Sequence, residues 1–119
     1  MTTCVTSADT ARHLRQRAIK AAAEGAGRAH RLRTRLPVAV DSLRRDYGAA
    51  TVILFGSLAN GTCGPESDVD LAVSGLSRQV YFKALADLMA VFEGPVDLVR
   101  LEDAPASLRE RIAAEGEPL

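Results

Sequence analysis

The sequence predicts an α/β fold, a short β-sheet flanked by helices. Three observations carry that reading. Thr51–Phe55, Val69–Val73 and Val96–Leu101 are short runs rich in branched apolar residues, with the length and composition of strands. The segments around them repeat apolar residues at helical spacing. Gly and Pro fall at the joints, at Gly48, Gly56, Gly75 and Gly94-Pro95, where one element must stop before the next begins. Strands interleaved with helices pack as layers, with helices on one or both faces of the sheet.

At 119 residues the chain is one unit with a single core, too small to add a full second substrate domain. No apolar stretch approaches the ~20 residues of a membrane helix. Met1-Thr2-Thr3-Cys4-Val5 lacks the basic-then-apolar order of a secretion signal, so a cytoplasmic protein is expected. Cys4 and Cys63 make no disulfide framework, and no Cys/His spacing suggests zinc. Cys63 reads as a space-filling thiol, since nothing beside it in sequence would activate it.

The neutral net charge conceals a split. Residues 1–45 hold ten Lys/Arg against three acids, and the remainder holds five against twelve, so the front is +7 and the rest −7. Such a division implies internal pairing or a charged partner.

In chain order, residues 8–33 are rich in Ala, Arg and Gln and predict a helix with Ala11, Leu14, Ala18 and Ala22 on one stripe. Gly25 and Gly27 weaken it by ~1 kcal/mol each relative to Ala. Residues 1–35 are therefore read as a basic helical arm, loosely docked or facing a partner, ahead of a domain over 36–119. A firmer helix is expected from Pro37 in its first turn to a Gly48 cap, with Leu36, Val40, Leu43 and Tyr47 inward. The second strand leads to a helix over about Arg78–Phe92, with Tyr81, Leu85, Leu88 and Phe92 as its core face and Gly94-Pro95 as its stop. A last helix is capped by Asp103, has Pro105 in its first turn, turns Leu108 and Ile112 inward and closes at Gly116.

Two motifs carry chemistry. Gly56-Ser57 ends the first strand and opens a turn whose freed N–H groups, with the Ser57 hydroxyl, form a small cradle for phosphate. Asp68 and Asp70 lie two apart on the second strand, on one face, while Val69, Leu71 and Val73 take the other. Paired carboxylates repel unless a cation sits between them. A phosphate cradle beside a divalent-cation site is the layout of a phosphoryl- or nucleotidyl-transfer centre. Asp97, one residue into an otherwise apolar third strand, is the third candidate carboxylate, because an isolated buried charge is costly.

Gly56-Ser57, Ala59-x-Gly61 and Asp68-x-Asp70 together resemble the signature of the polymerase beta superfamily, and most closely its minimal nucleotidyltransferases, the MNT proteins found with HEPN partners. The resemblance runs from about Leu36 to the end. It implies a mixed sheet with the first two strands antiparallel and the third beside them. It also implies Asp68, Asp70 and Asp97 as catalytic metal ligands for Mg²⁺, a two-ion site, with ATP as substrate gripped by Gly56 and Ser57. The implied role is an antitoxin that transfers AMP to a tyrosine hydroxyl of a HEPN ribonuclease toxin. The alternatives are an antibiotic nucleotidyltransferase, which would normally carry a second domain, and a module that neutralises a toxin by contact alone. Direct nucleic-acid binding is not expected, since the Arg-rich arm lacks interleaved aromatics for stacking. Homo- and hetero-oligomers both stay open.

Two departures matter. MNT proteins commonly have a basic residue where this chain has Asn60, which weakens triphosphate binding unless Arg78 or Lys83 supplies the charge. The family's chain also continues past Glu115-Gly116 as a short apolar strand containing Tyr. Here Glu117-Pro118-Leu119 follows, which puts that edge strand in question.

Overall fold

The computed structural model describes residues 7–119, with side chains from residue 11. The readings made on Met1–Val5 and Cys4 fall outside those residues. A single helix, α1, runs from Ser7 to Arg45 without a break. At ~1.5 Å per residue it is the long axis of a molecule with extents of 66 × 29 × 22 Å. This corrects the expectation of two helices. Leu32, Leu36, Ala39 and Leu43 are all buried and step across exposed Pro37 at spacings of four, three and four. Burying such leucines is worth ~1.5–3 kcal/mol each, which outweighs the ~3 kcal/mol of an interior proline.

Gly25 is also no weak point. A Cβ there would lie 2.2 Å from the Cys63 carbonyl oxygen, so glycine is what lets the loop cross α1 this closely. N-terminal to that crossing, every residue from Ala11 to Glu24 is exposed. Ala11, Leu14 and Ala18 of the predicted stripe are exposed, while Ala22 borders the loop Gly61–Pro65.

The strands are β1 (Thr51–Phe55), β2 (Val69–Ser74), β3 (Val96–Arg100) and β4 (Glu117–Pro118), in the order β3-β2-β1-β4. β1 and β2 are antiparallel, while β2 and β3 are parallel, which makes the sheet mixed. The parallel pair is joined by a crossover through a 3₁₀ turn at Arg78–Val80 and helix α3 (Tyr81–Phe92). Ala84, Leu88 and Phe92 are the fully buried residues of α3, with Tyr81 and Leu85 packed at the margin. One sheet face, Val52, Leu54, Val69, Leu71, Val73 and Leu98, is buried in one cluster with the inward residues of α1 and α3.

Two terminal features differ from expectation. Helix α4 (Ala106–Glu115) starts after Pro105 with no side-chain cap. Asp103 lies instead in a 3₁₀ turn, where it pairs with Arg78 at 2.7 Å and with Arg100. The doubted edge strand does form: Ile53 faces Pro118, Leu54 faces Glu117, and the Leu119 N–H donates to the Val52 carbonyl. Proline is tolerated there because an edge position needs no outward donor, and Arg33 holds Glu117 at 3.1 Å.

Candidate functional site

Strand register brings the separate motifs to one line. Phe55 of β1 faces Asp70 of β2, and Asp70 faces Asp97 of β3. This rung lies on the sheet face opposite the buried leucines, because side chains alternate along each strand. Neighbouring strands are ~4.8 Å apart, so the end of β1, Asp70 and Asp97 follow one another in short steps. Asp68 is exposed just ahead of β2, two residues before Asp70.

Gly56 opens the short helix α2 (Gly56–Asn60) with φ of +72°. A Cβ at Gly56 would lie 2.1 Å from Oδ2 of Asp70. Glycine is therefore required twice, for its left-handed backbone and for contact with the carboxylate. No side chain caps the start of α2, and Leu58 anchors it in the core. Its first-turn amides therefore have no side-chain partner.

The electrostatics agree with this crowding. The Asp70 carboxyl is held above its usual range, first by burial, then by the charge of Asp97, then by that of Asp68. The Tyr81 phenol is likewise raised, by burial and then by Asp97.

Helix α1 positions both arms of the site through contacts that sequence reasoning missed. Arg28 Nε donates to the Ser67 carbonyl at 2.8 Å, immediately before Asp68. Arg33 donates to the Leu58 carbonyl at 3.1 Å. In the intervening loop the Gly64 N–H donates to Ser67 Oγ at 2.7 Å. Nothing local in sequence marks these two among the nine arginines of the front segment.

Asn60 spends its amide oxygen on the N–H and hydroxyl of Thr62. Arg78, one of two candidates to replace the missing charge, is instead engaged by Asp103 and lies beside β3. Cys63 is a free thiol, half-buried in the loop.

Among the described residues, no three His, Cys, Asp or Glu side chains are gathered closely enough to hold an ion alone. The donor set near the rung is nonetheless all carboxylate, the chemistry of a hard cation, and its mutual repulsion is what such a cation relieves. These residues fit an ion that also takes oxygens from a phosphate, better than one caged by protein.

Residues 40–119 match the family described as Polymerase beta, Nucleotidyltransferase. A solved minimal nucleotidyltransferase is similar at 31% identity, covering 76% of this chain and 95% of its own, with a TM-score of 0.67. A toxin–antitoxin crystal structure with AMP-PNP is similar at 28% identity, covering 68% of this chain and 69% of that one, with a TM-score of 0.60. A tri-AMPylated Shewanella oneidensis HEPN toxin in complex with MNT antitoxin is similar in fold, at 23% identity over 73% of this chain and 70% of that one, with a TM-score of 0.59. The comparison with curated proteins finds no match. No helix among the described residues is long and apolar enough to cross a membrane.

Proposed function

This chain belongs to the Polymerase beta nucleotidyltransferase family, and on that premise we propose that it is an MNT-type antitoxin transferring AMP from ATP to a hydroxyl of a HEPN toxin. One observation carries the reading. Gly56 touches Asp70, and Asp70 is the register partner of Asp97, which supports reading the Gly56-Ser57 turn as a phosphate cradle beside two carboxylates. The toxin–antitoxin structure with AMP-PNP supports the choice of donor and partner. The Shewanella complex names the same chemistry, although its likeness to this chain is one of fold.

In this reading the α2 amides and the Ser57 hydroxyl hold the terminal phosphates, and Asp68, Asp70 and Asp97 hold Mg²⁺. Bound there, Mg²⁺ supplies positive charge to the phosphate oxygens and to the oxygens that attack and leave. The acceptor hydroxyl oxygen forms a bond to the α-phosphorus while the bond to the bridging oxygen breaks. The hydroxyl proton goes to Asp97, the next carboxylate along the rung from Asp70, acting as general base. Pyrophosphate leaves on the Gly56 side, and AMP stays on the acceptor.

The test is transfer of label from α-labelled ATP to a purified HEPN-family toxin, with mass spectrometry of the product. A partner that gains 329 Da per AMP, roughly, in an Mg²⁺-dependent manner supports the proposal. A partner silenced with no added mass would favour neutralisation by contact.

A further inference from the structure

Of the three candidate carboxylates, Asp68 is the one that no strand holds. Asp70 is set by its register partners Phe55 and Asp97, and Asp97 by Asp70. Asp68 stands just before β2 begins and is exposed, so no sheet ladder fixes its backbone.

Helix α1 supplies what the sheet does not. At Gly25 the Cys63 carbonyl oxygen comes within 2.2 Å of where a Cβ would stand. Almost one turn later Arg28 donates from Nε to the Ser67 carbonyl at 2.8 Å. Within the loop, the Gly64 N–H donates to Ser67 Oγ at 2.7 Å and the Ser67 N–H to the Gly64 carbonyl at 3.3 Å. The loop is thus closed on itself at Ser67 and tied to α1 at the same residue. A peptide unit is planar, so the Ser67 carbonyl lies in one plane with the nitrogen and Cα of Asp68. Holding that carbonyl orients the plane from which the Asp68 side chain projects.

The choice of atom is informative. Arg28 grips the backbone, and Asp68 takes part in no ion pair among the described residues. A guanidinium on the carboxylate would compete with a metal ion for its oxygens. A guanidinium on the preceding carbonyl orients the side chain and leaves those oxygens open, as outer partners of metal ligands do.

We propose that Arg28 is a positioning residue for the metal site: by holding the Ser67 carbonyl it aims Asp68, and so raises the affinity for the divalent cation. The proposal rests on the reading of Asp68 as a metal ligand. It adds a determinant from the segment ahead of residues 40–119, the part that matches the family. The sign of the effect separates it from simple electrostatics. Arg28 acting through its charge would repel a cation, so removing it would tighten metal binding, whereas removing a positioning contact weakens it.

The probe is Mn²⁺, a hard divalent ion for the same oxygen donors, added with AMP-PNP. Water-proton relaxation enhancement reports its uptake by the protein, independently of turnover. Arg28→Met keeps the stem and loses the donor. Arg28→Gln loses the charge but keeps a donor, because glutamine Nε2 is as many bonds from Cα as arginine Nε. The expected result is Mn²⁺ affinity about tenfold weaker in Arg28→Met, the lower end of the range for losing an outer partner of a ligand. Arg28→Gln recovers most of that loss. In an Asp68→Asn background Arg28→Met brings no further loss, because both changes act through one carboxylate. Wild-type or tighter binding by Arg28→Met overturns the positioning role and leaves the nucleotidyl-transfer reading standing. A full further loss on top of Asp68→Asn also overturns it, by assigning the effect to the fold at large. Wild-type binding by Asp68→Asn, or no uptake by the wild type, overturns the metal-ligand reading and the role of Arg28 with it.

Discussion

Asp70 is the residue on which the proposed site turns, with Gly56 against it on one side and Asp97 as its register partner on the other. Its carboxyl is raised above the ordinary range near 3.8 by burial and by two acidic neighbours. A carboxyl whose folded-state pKa is raised favours folding most below its unfolded pKa, and that contribution is lost as pH rises through the folded value. Metal-free protein should therefore lose stability as pH climbs out of the acid range, and Asp70→Asn should remove that part of the slope. In thermal melts without metal, Asp70→Asn is expected to match or exceed wild type at neutral pH, and both Asp70→Asn and Asp68→Asn are expected to lose AMP transfer. Full transfer by both variants would remove them as metal ligands. At the cradle, Ser57→Ala deletes one hydrogen bond to a charged group, ~1.5–3 kcal/mol, or about tenfold to a hundredfold in use of ATP. Gly56→Val should be worse, because it drives a side chain into the Asp70 carboxylate from a backbone that only glycine adopts easily. Equal small effects at the two positions would place the phosphates elsewhere.

At the scale of elements, the strands were legible and the long helix was not. β1 and β3 begin where their branched residues begin, because alternation and Gly/Pro punctuation are local signals. The pairing of Asp70 with Asp97 is a register, which local sequence does not encode, and only the family resemblance anticipated their meeting. Helix α1 was split in expectation because Pro37 and Gly25 carry local penalties, whereas the contacts that override them are tertiary. Arg28 and Arg33 reach residues 39 and 25 positions away, which no periodicity reports. The helix yields its own test. Pro37 is exposed within α1, so Pro37→Ala restores a helical N–H without emptying the core. Subtracting the unfolded-chain entropy that proline removes, the gain should be roughly 2 kcal/mol. A melting temperature several degrees higher is expected, and a lower one would show that the helix depends on the proline.

At the scale of the whole molecule, charge and shape point the same way. The 66 Å length comes from α1, whose first half projects beyond the Gly25 crossing with Arg12, Arg15, Arg17 and Lys20 in solvent. The carboxylates sit on the domain with the opposite net charge. Basic charge held away from an acidic body is not neutralised by it, since exposed charges more than ~10 Å apart are largely screened at moderate salt. Such an arm is suited to meeting an acidic partner surface. Peripheral charges act mainly on the rate of encounter, while buried apolar contacts set how long a complex lasts. Replacing Arg12, Arg15, Arg17 and Lys20 together with Gln should slow AMP transfer to the HEPN partner at low salt, with the difference from wild type shrinking as salt is raised. Stopped-flow association across a salt series reads that difference directly. A fourfold-neutralised arm that associates as fast as wild type at low salt would remove the arm from recognition.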